Sequence, residues 1–166
     1  MWTKATGNDI EELVEIFWSN IEAAPQYISH GEMQMGVATA PETLASNGKE
    51  VWRKYISQKI AEGNENAQLP SSVIVYRNNG KIAAFCVLAV LEDGCNPYGV
   101  ICDMLVIPQM RGTGLGKELL AKAKEWFKEH GICDVYLESG LNNHSAHAFF
   151  RKYGFREVSH IFKLME

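Results

Sequence analysis

The chain has 166 residues, 46% of them hydrophobic, which is near the common size of one domain with a single sizeable core. A net charge of -4 gives no basic footprint for nucleic acid or an anionic membrane, and an acidic surface of this kind suits cationic small molecules. One domain spanning 1–166, with no nucleic-acid or membrane partner, is therefore expected.

The opening residues carry no long apolar run, so no secretory leader is expected. "MWTKAT" reads as an edge strand. Asn8 or Asp9 can cap a helix in which Ile10, Leu13, Val14, Phe17, Trp18 and Ile21 recur at helical spacing, and Pro25 ends it. Residues 26–46, including "QYISHGEMQMG", read as irregular. A second helix is expected over about residues 50–61, followed by a loop over 62–72. The runs "SVIVYR" and "KIAAFCVLAVLE" read as strands joined by "NNG", a strong hairpin signal. The second run is too short to span a bilayer. After the loop "DGCNPYG" comes a third strand, "VICDMLVIP".

Leu115, Leu119, Leu120, Ala123, Trp126 and Phe127 then mark one face of a helix that Gly131 ends. "CDVYLES" is the next strand, "HSAHAFFRKY" a short helix and "FREVSHIFKLME" a closing strand, giving the order βααβββαβαβ. A mixed sheet with helices on both faces follows from that order. The four cysteines, Cys86, Cys95, Cys102 and Cys133, show neither a CxxC pair nor metal-ligand spacing. Free thiols in a reducing cytoplasm, and no metal, are expected.

The stretch "DMLVIPQMRGTGLGKELL" places three glycines between a strand and a helix, where unhindered backbone N–H groups at the positive end of a helix can cradle phosphate. The Walker pattern fails, because Arg111 stands where its first glycine is needed and Glu118 follows Lys117. The dinucleotide pattern fails at Lys117, which occupies the third glycine position. R-x-x-G-x-G is met by Arg111, Gly114 and Gly116. A loop that merely uses glycine's torsional freedom is the plainer alternative.

Together with "NHSAHAFFRKYGF", this stretch resembles the GNAT superfamily of N-acetyltransferases, whose two motifs occur in this order, separated by a helix and a strand. The resemblance implies a mixed, mostly antiparallel α/β sheet in which two central parallel strands splay apart near Leu105 and Val106. It also implies acetyl-CoA as cosubstrate. Backbone groups of Met104, Leu105 and Val106 would bond the pantetheine arm. Arg111, Gly112, Thr113, Gly114, Leu115, Gly116 and Lys117 would hold the pyrophosphate, with Asn143 and Phe150 beside the cofactor.

Acetyl transfer to an amine needs a neutral amine, a donor for the developing oxyanion and a proton for the departing thiolate. An alkyl ammonium with a pKa near ~10 must first lose its proton. Glu138, at the end of "VYLES", is the leading base, and Asp103, a carboxylate within an apolar strand, is the second. A solvated strand end and a structural hydrogen bond are their respective plain alternatives. The oxyanion donor expected is the backbone N–H of Val106. The family's general-acid tyrosine is replaced by Phe150, which cannot donate a proton, and Tyr153 lies one helical turn on.

Tyr27, His30 and Glu32, with Met33 and Met35, mix polar handles with soft apolar surface suited to binding an amine of a small molecule or peptide. A plain loop is the alternative there. Among the aromatic residues, helical spacing makes Trp18 and Trp52 core residues. An acetyl-CoA-binding sensor with little turnover is the second functional class, a nucleotide-binding fold the third, and a homodimer stays open.

Overall fold

The computed structural model describes residues 1–63 and 69–165. The loop expected over 62–72 and the closing strand over 155–166 thus fall partly outside them. The elements are β1 (Trp2–Lys4), α1 (Ile10–Ala23), α2 (His30–Met35), β2 (Ala38–Ala40), β3 (Thr43–Leu44), α3 (Gly48–Gly63), β4 (Ser71–Asn78), β5 (Lys81–Glu92), β6 (Pro97–Val106), α4 (Leu115–Glu129), β7 (Val135–Leu137) and α5 (His144–Lys152).

The main sheet runs β1-β4-β5-β6-β7, and β2 and β3 form a separate hairpin. Every neighbouring pair in the main sheet is antiparallel except β6 and β7, which are parallel. Asn79 and Gly80 turn β4 into β5 with φ of 50° and 80°, the left-handed pair that matches strand twist in a two-residue hairpin. β5 is buried almost end to end, because helices cover both faces of the sheet.

One face packs Phe85 and Val87 against Leu13 and Phe17 of α1 and Trp52 and Ile56 of α3. Trp52 stacks on Phe17 with ring centroids 4.0 Å apart, which places it in the core as its spacing implied. The other face packs Cys86 and Leu88 against Leu119, Ala123 and Phe127 of α4. Gly99 of β6 lies under Phe127, where a Cβ would stand 2.5 Å from the ring, so the strand approaches α4 closely only because this position is glycine. β6 accordingly starts at Pro97, inside what reads in sequence as a loop.

Two further expectations are corrected. Residues 30–35 are a helix rather than irregular chain, because Ser29 and Glu32 form a reciprocal N-terminal cap. The Ser29 N–H and hydroxyl both donate to Glu32 Oε2 at 2.6 Å. Beyond α5 no closing strand forms over the described residues 155–165, although their composition suits one. A strand needs a neighbour to take its hydrogen bonds, and this segment stands off the sheet.

Candidate active site

The site starts from a defect in strand pairing. Val87 pairs with Asp103 and Leu88 with Ile101, so Cys102 is an extra residue in β6. Such a bulge bends a strand and puts consecutive side chains on one face. β7 follows β6 only from Gly99/Val135 to Ile101/Leu137, after which the two part. The parting begins four positions before Leu105, earlier than the sequence led us to expect, because the bulge follows Ile101 directly. Met104, Leu105 and Val106 therefore lie on a stretch of β6 that has no strand on its outer side among the described residues.

The glycine loop follows β6. Gly112 and Gly114 have φ of 77° and 94°, and no atom comes within 4 Å of where a Cβ would stand on either, so their outer face is open. Gly114 caps α4, and Leu115 is buried beneath the loop while Lys117 is exposed. Gly116 plays a different part: a Cβ there would touch the Phe149 ring at 3.4 Å, so it lets α5 lie close to the head of α4. The Thr113 hydroxyl donates to the Met110 carbonyl at 2.7 Å and tightens the turn.

Arg111 braces the loop from below. Its guanidinium donates to the Val106 carbonyl at 3.0 Å, to the Tyr27 hydroxyl at 3.0 Å and to Asn20 Oδ1 at 2.6 Å. Tyr27 and Arg111 are thus partners of one another, joining the end of β6 to the end of α1.

On the far side of the opening, Glu138 immediately follows the last paired residue of β7, and its carboxylate forms an ion pair with His30 Nδ1 at the start of α2. Sequence reading singles out both residues without joining them. Gly140 makes the approach of α2 possible, since a Cβ there would stand 2.3 Å from the Gln26 carbonyl oxygen and 2.6 Å from that of Ile28. Gly140→Ala is expected to destabilise the fold by about 1–3 kcal/mol, the range for overpacking, and to loosen the His30–Glu138 pair. A thermal midpoint equal to the parent's would contradict this.

A cavity of about 1390 Å³ opens here, lined by His30, Met33, Glu138, Ser139, Phe150 and Tyr153 among others. The Ser139 hydroxyl is buried and has no hydrogen-bond partner among the described residues. Phe150 packs edge-on against Phe155, while the neighbouring Phe149, which sequence reading passed over, is the residue against Gly116. Tyr153 packs on Phe149 with centroids 4.8 Å apart. Asn143 caps α5, accepting from the Ala146 N–H at 3.3 Å. Glu32 is taken up by the cap of α2.

A model of the acetyltransferase (GNAT) family matches residues 38–155. The chain belongs to the GNAT acetyltransferase family. It is 42% identical over 83 residues to streptothricin acetyltransferase A of Bacillus subtilis, covering 44% of this chain and 47% of that one. It is 28% identical over 88 residues to aminoglycoside N(6')-acetyltransferase type 1 of Stenotrophomonas maltophilia, covering 50% and 58%. The chain thus spans about half the length of these curated relatives. Its fold matches that of a predicted acetyltransferase from Clostridium acetobutylicum solved with acetyl-CoA, at a TM-score of 0.69 and 22% identity over 99% of this chain and 95% of that one.

In this GNAT chain the bulge also places Asp103 beside α3. Burial lifts the Asp103 carboxyl well above its ordinary range, the nearby charge of Glu32 adds to this, and a hydrogen bond from the Tyr55 hydroxyl opposes it. Burial likewise raises the Cys102 thiol to about 11. A carboxyl whose folded-state pKa is raised holds its proton where the unfolded chain has released it, so its stabilising effect is lost as pH rises through that window. Asp103→Asn is expected to flatten the fall in thermal midpoint as pH rises above the ordinary carboxylate range. A variant whose pH dependence matches the parent's would refute this.

Proposed function

We propose that this GNAT chain is an acetyl-CoA-dependent N-acetyltransferase that delivers the acetyl group to a primary amine of a small molecule or peptide by direct attack in a ternary complex. The observation that supports this reading is that open-faced glycines follow the unpaired end of β6, while the His30–Glu138 pair follows the end of its parallel neighbour β7.

GNAT acetyltransferases use acetyl-CoA. The residues present fit it. Gly112 and Gly114 leave room at the first N–H groups of α4, where a pyrophosphate would sit, and the free outer side of Met104 to Val106 offers backbone groups to an extended amide arm. The Arg111 guanidinium, spent on Val106, Tyr27 and Asn20, would shape the loop rather than carry the phosphate charge. Acetyl-CoA supplies the acetyl group as an activated thioester.

Glu138 takes the proton from the ammonium, directly or through water, and His30 orients the carboxylate that receives it. The Val106 N–H donates to the oxyanion. A thiolate is a good leaving group, so a weak acid suffices, and Tyr153 or a water beside it can return the proton. The carboxylate and the apolar lining of the cavity suit an amine that arrives as a cation. The named relatives act on streptothricin and on aminoglycosides, which supports an acceptor of that cationic class without choosing one.

The phenylalanine at position 150, where the family's tyrosine is expected, keeps an acetyl-CoA sensor as a second reading. Thermal unfolding with acetyl-CoA, ATP and NAD side by side, followed by thiol release across a panel of amines, decides between them. Stabilisation by acetyl-CoA with thiol release supports the enzyme. Stabilisation without release from any amine favours the sensor, and no stabilisation by acetyl-CoA sinks both.

A further inference from the structure

Glu32 is one of four polar or charged residues that are buried among the described residues, with 9% of its surface exposed. Burying a carboxylate is costly unless its charge is answered. Asp9, buried to a similar degree and capping the turn before α1 through the Thr6 N–H, is answered by Arg77. The Glu32 carboxylate has no such cation among the described residues, where it accepts hydrogen bonds only from the Ser29 N–H and hydroxyl, both at 2.6 Å. A buried charge kept without a counter-charge points to a task beyond stability.

What the cap holds shows the task. α2 has six residues, too few to be stable through its own hydrogen bonds. Glu32 ties both of its ends: the side chain closes the first turn, and the backbone carbonyl accepts from the Val37 N–H at 2.8 Å, just past the helix. His30 is the first helical residue, between the two partners of the cap. Its pair with Glu138 does not hold itself, because the Glu138 side chain is 47% exposed and an ion pair so open to water gains little against the freedom of two side chains. The backbone at the head of α2 must therefore present His30 in place. A Cβ on Gly31 would lie 3.5 Å from the Ser29 hydroxyl and 3.7 Å from Glu138 Oε2, so the cap and the carboxylate flank one residue. Ser29, His30, Met33 and Glu138 line the cavity, while Glu32 is not among its lining residues.

We propose that Glu32 is a positioning residue for the proton acceptor: its cap sets the head of α2 so that His30 holds the Glu138 carboxylate at the cavity. The role in catalysis rests on the reading of Glu138 as the base, whereas the geometric step stands apart from it. Glu32 works here as a hydrogen-bond acceptor and not as a charge. Glutamine, whose amide oxygen accepts the same two bonds, can therefore replace it. A residue that bound a cationic amine through its charge would lose as much in glutamine as in alanine.

The test follows the His30 ring proton on Nδ1 by NMR in the intact chain without ligand, with Glu138→Ala to identify its signal. We expect a downfield resonance in the parent, its loss in Glu32→Ala and its return in Glu32→Gln. A parent without that resonance, a resonance that survives in Glu32→Ala, or one lost equally in Glu32→Gln overturns the proposal. α2 lies outside the main sheet, so Glu32→Ala should keep the parent's circular dichroism. If it unfolds instead, Ser29→Ala removes one of the two bonds and should speed exchange of the same proton with water about 5-fold. An unchanged rate there overturns the proposal. Thiol release from acetyl-CoA, with streptothricin as the amine, then separates the two layers. Glu32→Ala should lower the rate by up to ~10²-fold, and by little when Glu138→Gln is already present, since both act through one group. Additive losses overturn the proposal. If the ring proton behaves as expected while neither variant slows release, the base reading falls and the geometric step is upheld. The ring proton decides that step whether or not streptothricin is an acceptor.

Discussion

Glu138→Gln is expected to lower the rate of acetyl transfer about 10²-fold or more near neutral pH, then recover part of that loss as pH approaches the pKa of the acceptor amine. The glutamine keeps the size of the side chain and can still accept a hydrogen bond from His30, so the ion-pair position is filled while basicity is removed. The pH dependence carries the test, because a base matters most where the amine is charged and least where solvent has already deprotonated it. Acetyl-CoA binding should be unchanged, since Glu138 follows β7 and is not part of the glycine loop. Asp103→Asn should show the same recovery only if Asp103 is the base. A Glu138→Gln enzyme whose pH–rate profile matches the parent's would remove Glu138 from the reaction and move the search to Asp103.

Gly114→Val should weaken acetyl-CoA binding at least ~10-fold by calorimetry, equivalent to about 1.4 kcal/mol. Two effects act together. At a φ of 94° a β-branched residue is strained where glycine is not, and the valine would project into the open face where the pyrophosphate is proposed to lie. Gly116→Ala is the internal control: its added methyl meets the edge of Phe149 at 3.4 Å and Val106 Cγ2 at 3.9 Å, at a helical position with no torsional demand, so a much smaller loss is expected. Equal affinity in Gly114→Val and the parent, with circular dichroism unchanged, would refute the phosphate cradle.

Most of the elements were legible in the sequence because their signals are local. The apolar stripe of α4, the Asn79–Gly80 turn and the long buried run of β5 each state their own structure through period or torsion. The glycine loop was legible for the same reason, since left-handed backbone at Gly112 and Gly114 is a property of those residues themselves. A local signal was also overlooked at Ser29 and Glu32, whose spacing announces the cap that makes residues 30–35 helical.

What tertiary structure decided depends on partners that no local pattern names. His30 and Glu138 become a pair only because Gly140 lets the chain after β7 lie against residues 26–28. The bulge at Cys102, which opens β6 from β7 and turns Asp103 toward Tyr55, is a mismatch of register between two strands and exists in neither alone. The segment 155–165 has the composition of a strand and yet forms none, for a strand is stabilised by its neighbour's hydrogen bonds and this segment stands off the sheet. The long helices, the hairpin and the glycine turn rest on backbone torsion and periodicity, which are written along the chain. The acceptor side, built from long-range close approach and strand register, was set only when the chain folded.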